Sequence, residues 1–168
     1  LAADLQMDRN IYQRGVDWLV EEERRRISWI MEDRENGRRA SHMDAMIACI
    51  LAPENRGDGQ MLDLLYEDRT GLSIYSKAQL GLALHHSDRA NEMDMVIRNI
   101  EQFLVRDEEN QTAWLNLGNN SYWWHWWGND METHAAYLKL LVTVNPRADH
   151  APGIVKYLLN NRTHGTWW

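Results

Sequence analysis

Histidine and acidic side chains, the types that bind transition metals, are grouped at two places in the chain. These residues are His85 and His86, then His125, Asp130, Glu132 and His134. A metal site needs side chains that converge on one point, but adjacent helical residues point apart, and Glu132 and His134 are separated by about 200° around a helix. We therefore expect no metal and no other cofactor. Asp130 and Glu132 fit better as the acidic first turn of a helix.

Paired carboxylates are a second source of chemistry, because glycoside hydrolases place two of them about 5–10 Å apart. The candidates are Asp107, Glu108, Glu109, Asp130 and Glu132. A list of carboxylates without a known geometry is weak evidence for such a pair. We assign no catalytic residue, and a helical carbohydrate-active enzyme is kept as an alternative.

The only cysteine is Cys49, in the apolar segment Met46-Ile47-Ala48-Cys49-Ile50-Leu51. A single cysteine excludes an intrachain disulfide. Its neighbours predict a buried thiol that packs as a small apolar side chain.

The densest aromatic segment runs from residue 122 to residue 127 and holds five Trp or Tyr residues in six positions. Neither helical nor strand periodicity explains such a run. We expect these rings to anchor an irregular connection onto the ends of the helices. Two functional interpretations remain open: stacking on sugars, and a contact surface with neighbouring domains. The residues of this candidate interdomain contact surface are Tyr122, Trp123, Trp124, Trp126 and Trp127.

Composition indicates one globular unit. The chain has 168 residues, 44% hydrophobic and 26% charged, which is enough to bury a core in a single domain covering residues 1–168, or in a fragment of one. A net charge of −7 argues against nucleic acid as a partner. The basic runs at 24–26 and 38–39 lie beside acidic residues, so we interpret them as solvated helix faces. No apolar run is long enough to span a membrane.

The two ends of the chain predict a piece of a longer protein. Leu1 is not an initiator methionine, and the last two residues are the large aromatics Trp167 and Trp168. The first residues also lack the basic and apolar regions of a signal peptide.

Periodicity predicts helices along almost the whole chain and little strand. The clearest is residues 91–104, where apolar residues recur every three or four positions and form one stripe. Further helices are expected at about 9–31, 41–51, 59–67, 73–85, 130–144 and 151–160.

Two kinds of helix alternate. One carries an aromatic between β-branched residues and leucine, as at Trp18, Phe103 and Tyr157, and the other is rich in alanine and glycine. Small residues permit close packing, so the second kind suits an inner layer and the first an outer layer. This order predicts an all-α fold of the α/α-toroid type, in which helical hairpins form inner and outer layers. We expect the ring of hairpins to be incomplete. Irregular spacing makes a regular helical repeat a weaker alternative.

The chain resembles bacterial alpha-2-macroglobulins over most of its length. The matching segments are residues 14–19, 61–70, 72–84, 107–141 and 156–168, the last reading Lys-Tyr-Leu-Leu-Asn-Asn-Arg-Thr-His-Gly-Thr-Trp-Trp. In that family such segments belong to the later part of the thioester-containing domain, an α/α toroid. The resemblance thus implies the fold that the helix pattern predicts.

The resemblance implies a broad-spectrum endopeptidase inhibitor, which is consumed when it acts and is therefore not an enzyme. A protease cleaves a bait segment elsewhere in the full-length protein, and an internal thioester then captures it covalently. The implied partners are target proteases and the other domains of the same macroglobulin, and the implied location is the periplasm or cell envelope. The chain departs from the family pattern because it lacks the Cys-x-Glu-Gln motif: Cys49 has no glutamine three residues later. Any thioester must therefore lie upstream of Leu1.

Overall fold

The computed structural model describes residues 8–118 and 130–162, which are mostly helical. The helices are α1 (Arg9–Glu32), α2 (His42–Leu51), α3 (Gly59–Glu67), α4 (Ile74–His86), α5 (Ala90–Glu101), α6 (Asp130–Val144) and α7 (Ala151–Asn160). One antiparallel sheet in these ranges pairs β1 (Leu104–Asp107) with β2 (Thr112–Leu115). The prediction of an all-α chain is confirmed at this level.

Polar side chains set the beginnings of several helices. The Asn10 amide donates to Asp8 Oδ1 at 2.8 Å before α1, and the Gln60 amide donates to Asp58 Oδ1 at 2.9 Å before α3. Ser73 Oγ accepts from the Ser76 amide at 3.2 Å before α4. Each acceptor satisfies a backbone N–H that has no partner inside the helix.

Three helices rich in small residues pack side by side in the order α2, α4, α6. The central helix, α4, is buried without interruption from Ser76 to Leu84 and also packs on α3 and α5. Gly81 permits the close approach of α6, because a Cβ there would lie 2.7 Å from Leu140 Cδ2. The helices of the first kind pack against this row, α1 on α2, α5 on α4 and α7 on α6.

The hydrophobic core forms two clusters. The larger extends from α1 and α2 through α4 to α6 and α7, with Leu80, Leu84, Ile100, Leu140 and Ile154 completely buried. The smaller cluster joins α1 to α2 through Val16, Val20, Ile47 and Leu51.

The prediction of a helix over residues 91–104 is wrong at its end. Helix α5 stops at Glu101, and Leu104 begins β1, opposite Leu115. Gln111 has a left-handed backbone (φ 51°) in the connecting turn, where Asp107 accepts hydrogen bonds from the Asn110 amide at 3.0 Å and its side chain at 2.8 Å. The apolar spacing of α5 runs on into Leu104, but pairing with residues 112–115 across the turn makes this segment a strand.

The basic runs form specific ion pairs, so the prediction of solvated faces is wrong in part. Arg24 pairs with Glu21 at 2.6 Å on the surface as expected. Arg26, however, is only 19% exposed and binds the buried carboxylate of Asp44 with two nitrogens. Such a pair is fixed by packing between two helices, which local charge alternation does not reveal.

Across residues 8–118 and 130–162, no helix combines the length and the apolar character that a membrane crossing requires.

Candidate functional site

The predicted contact surface of Tyr122, Trp123, Trp124, Trp126 and Trp127 lies outside the described residues. Its role therefore stays a prediction, as does any role of His125. The nearest elements that the structure describes on either side are β2 and α6.

His134 connects these two elements. Its side chain is 1% exposed, its Nδ1 lies 2.5 Å from the Asp130 carbonyl oxygen, and its Nε2 accepts from the Leu115 amide at 2.8 Å. This pattern requires a proton on Nδ1 and none on Nε2. Burial also lowers the pKa of His134. Neutral His134 thus links α6 to β2 by a hydrogen bond. From the sequence spacing, the only role considered for His134 was that of a metal ligand.

Two aromatic rings continue from His134 toward the surface. The Tyr157 ring lies 4.7 Å from His134, centroid to centroid, and Trp114 stacks on Tyr157 at 6.1 Å with 19° between the ring planes. The rings come from α6, α7 and β2, so the stack holds these three elements together.

A cavity of about 370 Å³ opens beside this stack. Its lining consists of Asn110, Thr112, Trp114, Lys156, Tyr157, Asn160 and Asn161. Two aromatic rings therefore face a rim of amide, hydroxyl and ammonium groups. Sequence patterns do not predict this cavity, because Asn110, Thr112 and Trp114 of its lining belong to the hairpin, which the helical periodicity does not indicate.

A second polar cluster joins α5, α6 and the start of α7. Tyr137 is completely buried, and its hydroxyl lies 2.9 Å from His150 Nε2 and donates to Glu101 Oε1 at 3.2 Å. Arg106 approaches His150 Nδ1 at 3.3 Å. Burial, and then the nearby Glu101 carboxylate, raise the pKa of Tyr137. Burial lowers the pKa of His150. These shifts keep the phenol and imidazole neutral, so the cluster acts as a structural hydrogen-bond network.

Glu23 is a buried carboxyl group on α1. It is 1% exposed, its Oε2 accepts from the Asp58 amide at 2.8 Å, and its Oε1 has no hydrogen-bond partner among the described residues. Burial raises the pKa of Glu23 to about 7, and the carboxylates of Asp58 and Asp44 add to the increase. Glu23 therefore titrates near neutral pH.

Among the described residues, the acidic side chains considered for chemistry lie in the hairpin turn and at the start of α6. Glu108 and Glu109 are exposed in the hairpin turn, and Asp107 holds that turn. Asp130 and Glu132 lie in the acidic first turn of α6, as expected. In the two described ranges, no group of three metal-binding side chains converges on one point.

Cys49 differs in part from its prediction, since it is half-buried rather than buried. Burial nevertheless raises the pKa of its thiol, with a smaller opposing influence of Lys139. The group is thus a poor nucleophile at neutral pH, because the thiolate is the reactive form.

The helices of the first kind expose apolar side chains. On α1, Ile11 is 62% and Trp18 60% exposed, and on α7 Leu159 is 57% exposed. Val16 and Val20 pack against Ile47 and Leu51 of α2, so Trp18, the aromatic residue of the α1 pattern, faces outward instead of filling the core.

Comparison of the chain with protein-family models, curated proteins and solved structures found no match.

Proposed function

We propose that this chain is part of the thioester-containing domain of a bacterial alpha-2-macroglobulin, a broad-spectrum endopeptidase inhibitor. The proposal is supported by the ordered segments between Arg14 and Trp168 that resemble this family. In such an inhibitor, cleavage of the bait exposes a thioester that captures the protease covalently. The chain has no Cys-x-Glu-Gln motif, so its own role is that of a helical scaffold.

The observation that carries the proposal is the side-by-side packing of α2, α4 and α6, with α1, α5 and α7 each placed on one of them. This is the arrangement expected of hairpins in an α/α toroid, with small residues in the inner layer. We propose that these hairpins form an incomplete ring. A rigid helical layer of this kind suits a domain that must hold a thioester away from water until cleavage.

The apolar side chains of α1 and α7 are the proposed contacts with the rest of the inhibitor. Ile11 and Trp18 are seven residues apart and so share one face of α1, while Val155 and Leu159 share one face of α7. Exposed aromatic and aliphatic side chains grouped on one face are typical of protein interfaces. The segment containing Tyr122 and Trp123 is proposed to contribute to the same contacts.

The partners of the full-length protein would be its target proteases, and its location the periplasm or cell envelope. Both follow from the family resemblance.

A trapping assay on the full-length protein that contains this chain tests the function. It is incubated with a broad-specificity protease, with and without methylamine pretreatment, and examined on a denaturing gel. We expect a protease conjugate that survives boiling and disappears after methylamine treatment. Bait cleavage and loss of activity on large substrates without a conjugate would indicate trapping without a thioester. Unchanged protease activity would overturn the proposed function.

A variant of α1 tests separately whether this chain contacts the other domains of the inhibitor. Trp18→Glu is expected to leave the stability of the isolated chain within about 0.5 kcal/mol, because the side chain is exposed. In the full-length protein the same change should lower the melting temperature of the thioester-containing domain or reduce conjugate formation. Equal behaviour of the full-length variant and the wild type would argue against α1 as a domain contact.

A further inference from the structure

We propose that the cavity between the β1–β2 hairpin and α7 binds a neutral saccharide of one or two rings. This inference does not depend on the proposed inhibitor function. It rests on the shape of the cavity, its aromatic wall and the hydrogen-bonding groups around it.

The aromatic wall is preformed. Trp114 and Tyr157 are stacked at 6.1 Å, and the buried His134 ring also contacts Tyr157, with the ring centroids 4.7 Å apart. Rings held in place lose little conformational entropy when a ligand binds. The parts of Trp114 and Tyr157 that stay exposed offer an apolar surface, of the kind that the C–H face of a pyranose ring covers.

The rim of the cavity supplies both hydrogen-bond donors and hydrogen-bond acceptors. Asn110 uses its side-chain nitrogen on Asp107, and Asn161 uses its own on the Tyr157 carbonyl oxygen, which leaves both amide oxygens to accept. The side chains of Thr112 and Asn160 make no hydrogen bond with other described side chains. Hydroxyl-rich ligands match such a mixed set, because each hydroxyl both donates and accepts.

Charge argues for a neutral ligand. Lys156 is the only cation of the lining. The Lys156 ammonium group also interacts electrostatically with Asp107. The pKa of Asp107 is lowered chiefly by the hydrogen bonds that Asn110 donates to it and in smaller part by Lys156. The lining thus offers an anionic ligand a single ammonium group, which also interacts with Asp107. The cavity volume of about 370 Å³ lies at the lower end of small-molecule sites.

The test is a titration of the 168-residue chain, followed by ¹H–¹⁵N NMR spectra of the tryptophan indole and asparagine side-chain groups. The probes are cellobiose, maltose and N,N′-diacetylchitobiose, with glycerol and a digalacturonate as comparisons. At least one neutral disaccharide should shift the Trp114 indole and Asn160 amide signals, with a dissociation constant on the order of 1 mM for so open a site.

Two variants of the rim and one matched control decide whether the shifts report this cavity. Asn160→Ala and Thr112→Val each remove hydrogen-bonding groups at little cost to folding, and each should weaken binding about fivefold or more. Asn91→Ala, at an exposed position on α5, should not change it. The proposal is overturned if no neutral disaccharide shifts these signals, if glycerol or the digalacturonate shifts them at lower concentration, or if both rim variants bind like the control.

Discussion

Gly153 on α7 lies directly against the backbone of Ala113 on β2. A Cβ atom at position 153 would be 2.9 Å from the Ala113 nitrogen, 3.0 Å from its Cβ and 3.2 Å from the Thr112 carbonyl carbon. Real Cβ atoms do not approach a backbone nitrogen so closely. The hairpin, and the cavity beside it, therefore depend on the absence of a side chain at this position of α7.

Gly153→Ala is expected to lower the free energy of unfolding by about 2 kcal/mol, because the strand backbone cannot move aside without breaking its pairing with β1. Urea denaturation followed by far-UV circular dichroism measures the change. Gly15→Ala is the matched control, since it also lies in a helix but a Cβ there meets nothing within 4 Å. It should raise stability by about 0.5–1 kcal/mol. Equal effects of the two changes would contradict the close packing of α7 on β2.

His134→Leu should destabilise the protein by about 2–4 kcal/mol, because the Leu115 amide would lose its acceptor inside the core. His86→Leu, at an exposed position, should remain within about 0.5 kcal/mol of wild type. Hydrogen exchange gives a local measurement, in which the Leu115 amide exchanges faster in the His134 variant alone. Unaltered exchange of that amide would show that His134 is not its acceptor.

Glu23 should make stability fall as pH rises from about 4.5 to 7. The folded pKa of Glu23, about 7, is above the ordinary value of 4.5. The folded state therefore holds a proton that the unfolded state releases in this range, and stability falls with pH until Glu23 ionises in both states. The shift corresponds to roughly 3 kcal/mol.

Glu23→Gln isolates this contribution, because glutamine still accepts from the Asp58 amide and cannot ionise. Its stability relative to wild type should increase between pH 4.5 and 7 and stay constant above pH 7. The measurement is urea denaturation at several pH values. A difference between the two proteins that does not vary with pH would contradict a raised pKa of Glu23.

Cys49 should react slowly with iodoacetamide at pH 7.5, at least about tenfold slower than the same protein in denaturing urea, because burial raises the pKa of its thiol. The rate is followed by mass spectrometry of the intact chain. A rate in the folded protein equal to that in urea would mean an accessible thiol of ordinary pKa.

Much of the fold could be predicted from local patterns. The expected helices at residues 59–67, 130–144 and 151–160 coincide with α3, α6 and α7, and the others differ by a few residues. Helices of this length carry their periodicity and capping residues within one segment. The row of small-residue helices could be anticipated for a similar reason, because alanine and glycine permit close packing wherever they recur on one face.

The hairpin could not be predicted in the same way. Residues 104–107 become a strand because residues 112–115 pair with them, and the apolar stripe of α5 runs into Leu104 without a visible break. The cavity lining could not be predicted either, because Thr112 and Trp114 come close to Tyr157 only when β2 packs on α7. The family resemblance includes residues 107–141, but the contact surface predicted there is the aromatic segment 122–127, which lies outside the described residues.

The sequence by itself determined that the chain is helical, where its helices lie and which of them are narrow enough to pack in a row, because these properties depend on residues a few positions apart. Tertiary structure alone decided that Arg26 binds Asp44, that His134 accepts from Leu115, that the buried Glu23 accepts from Asp58, and that Trp114 stacks on Tyr157. Each of these pairs joins different elements, and the interaction forms only when packing removes water from both partners and holds them at bonding distance.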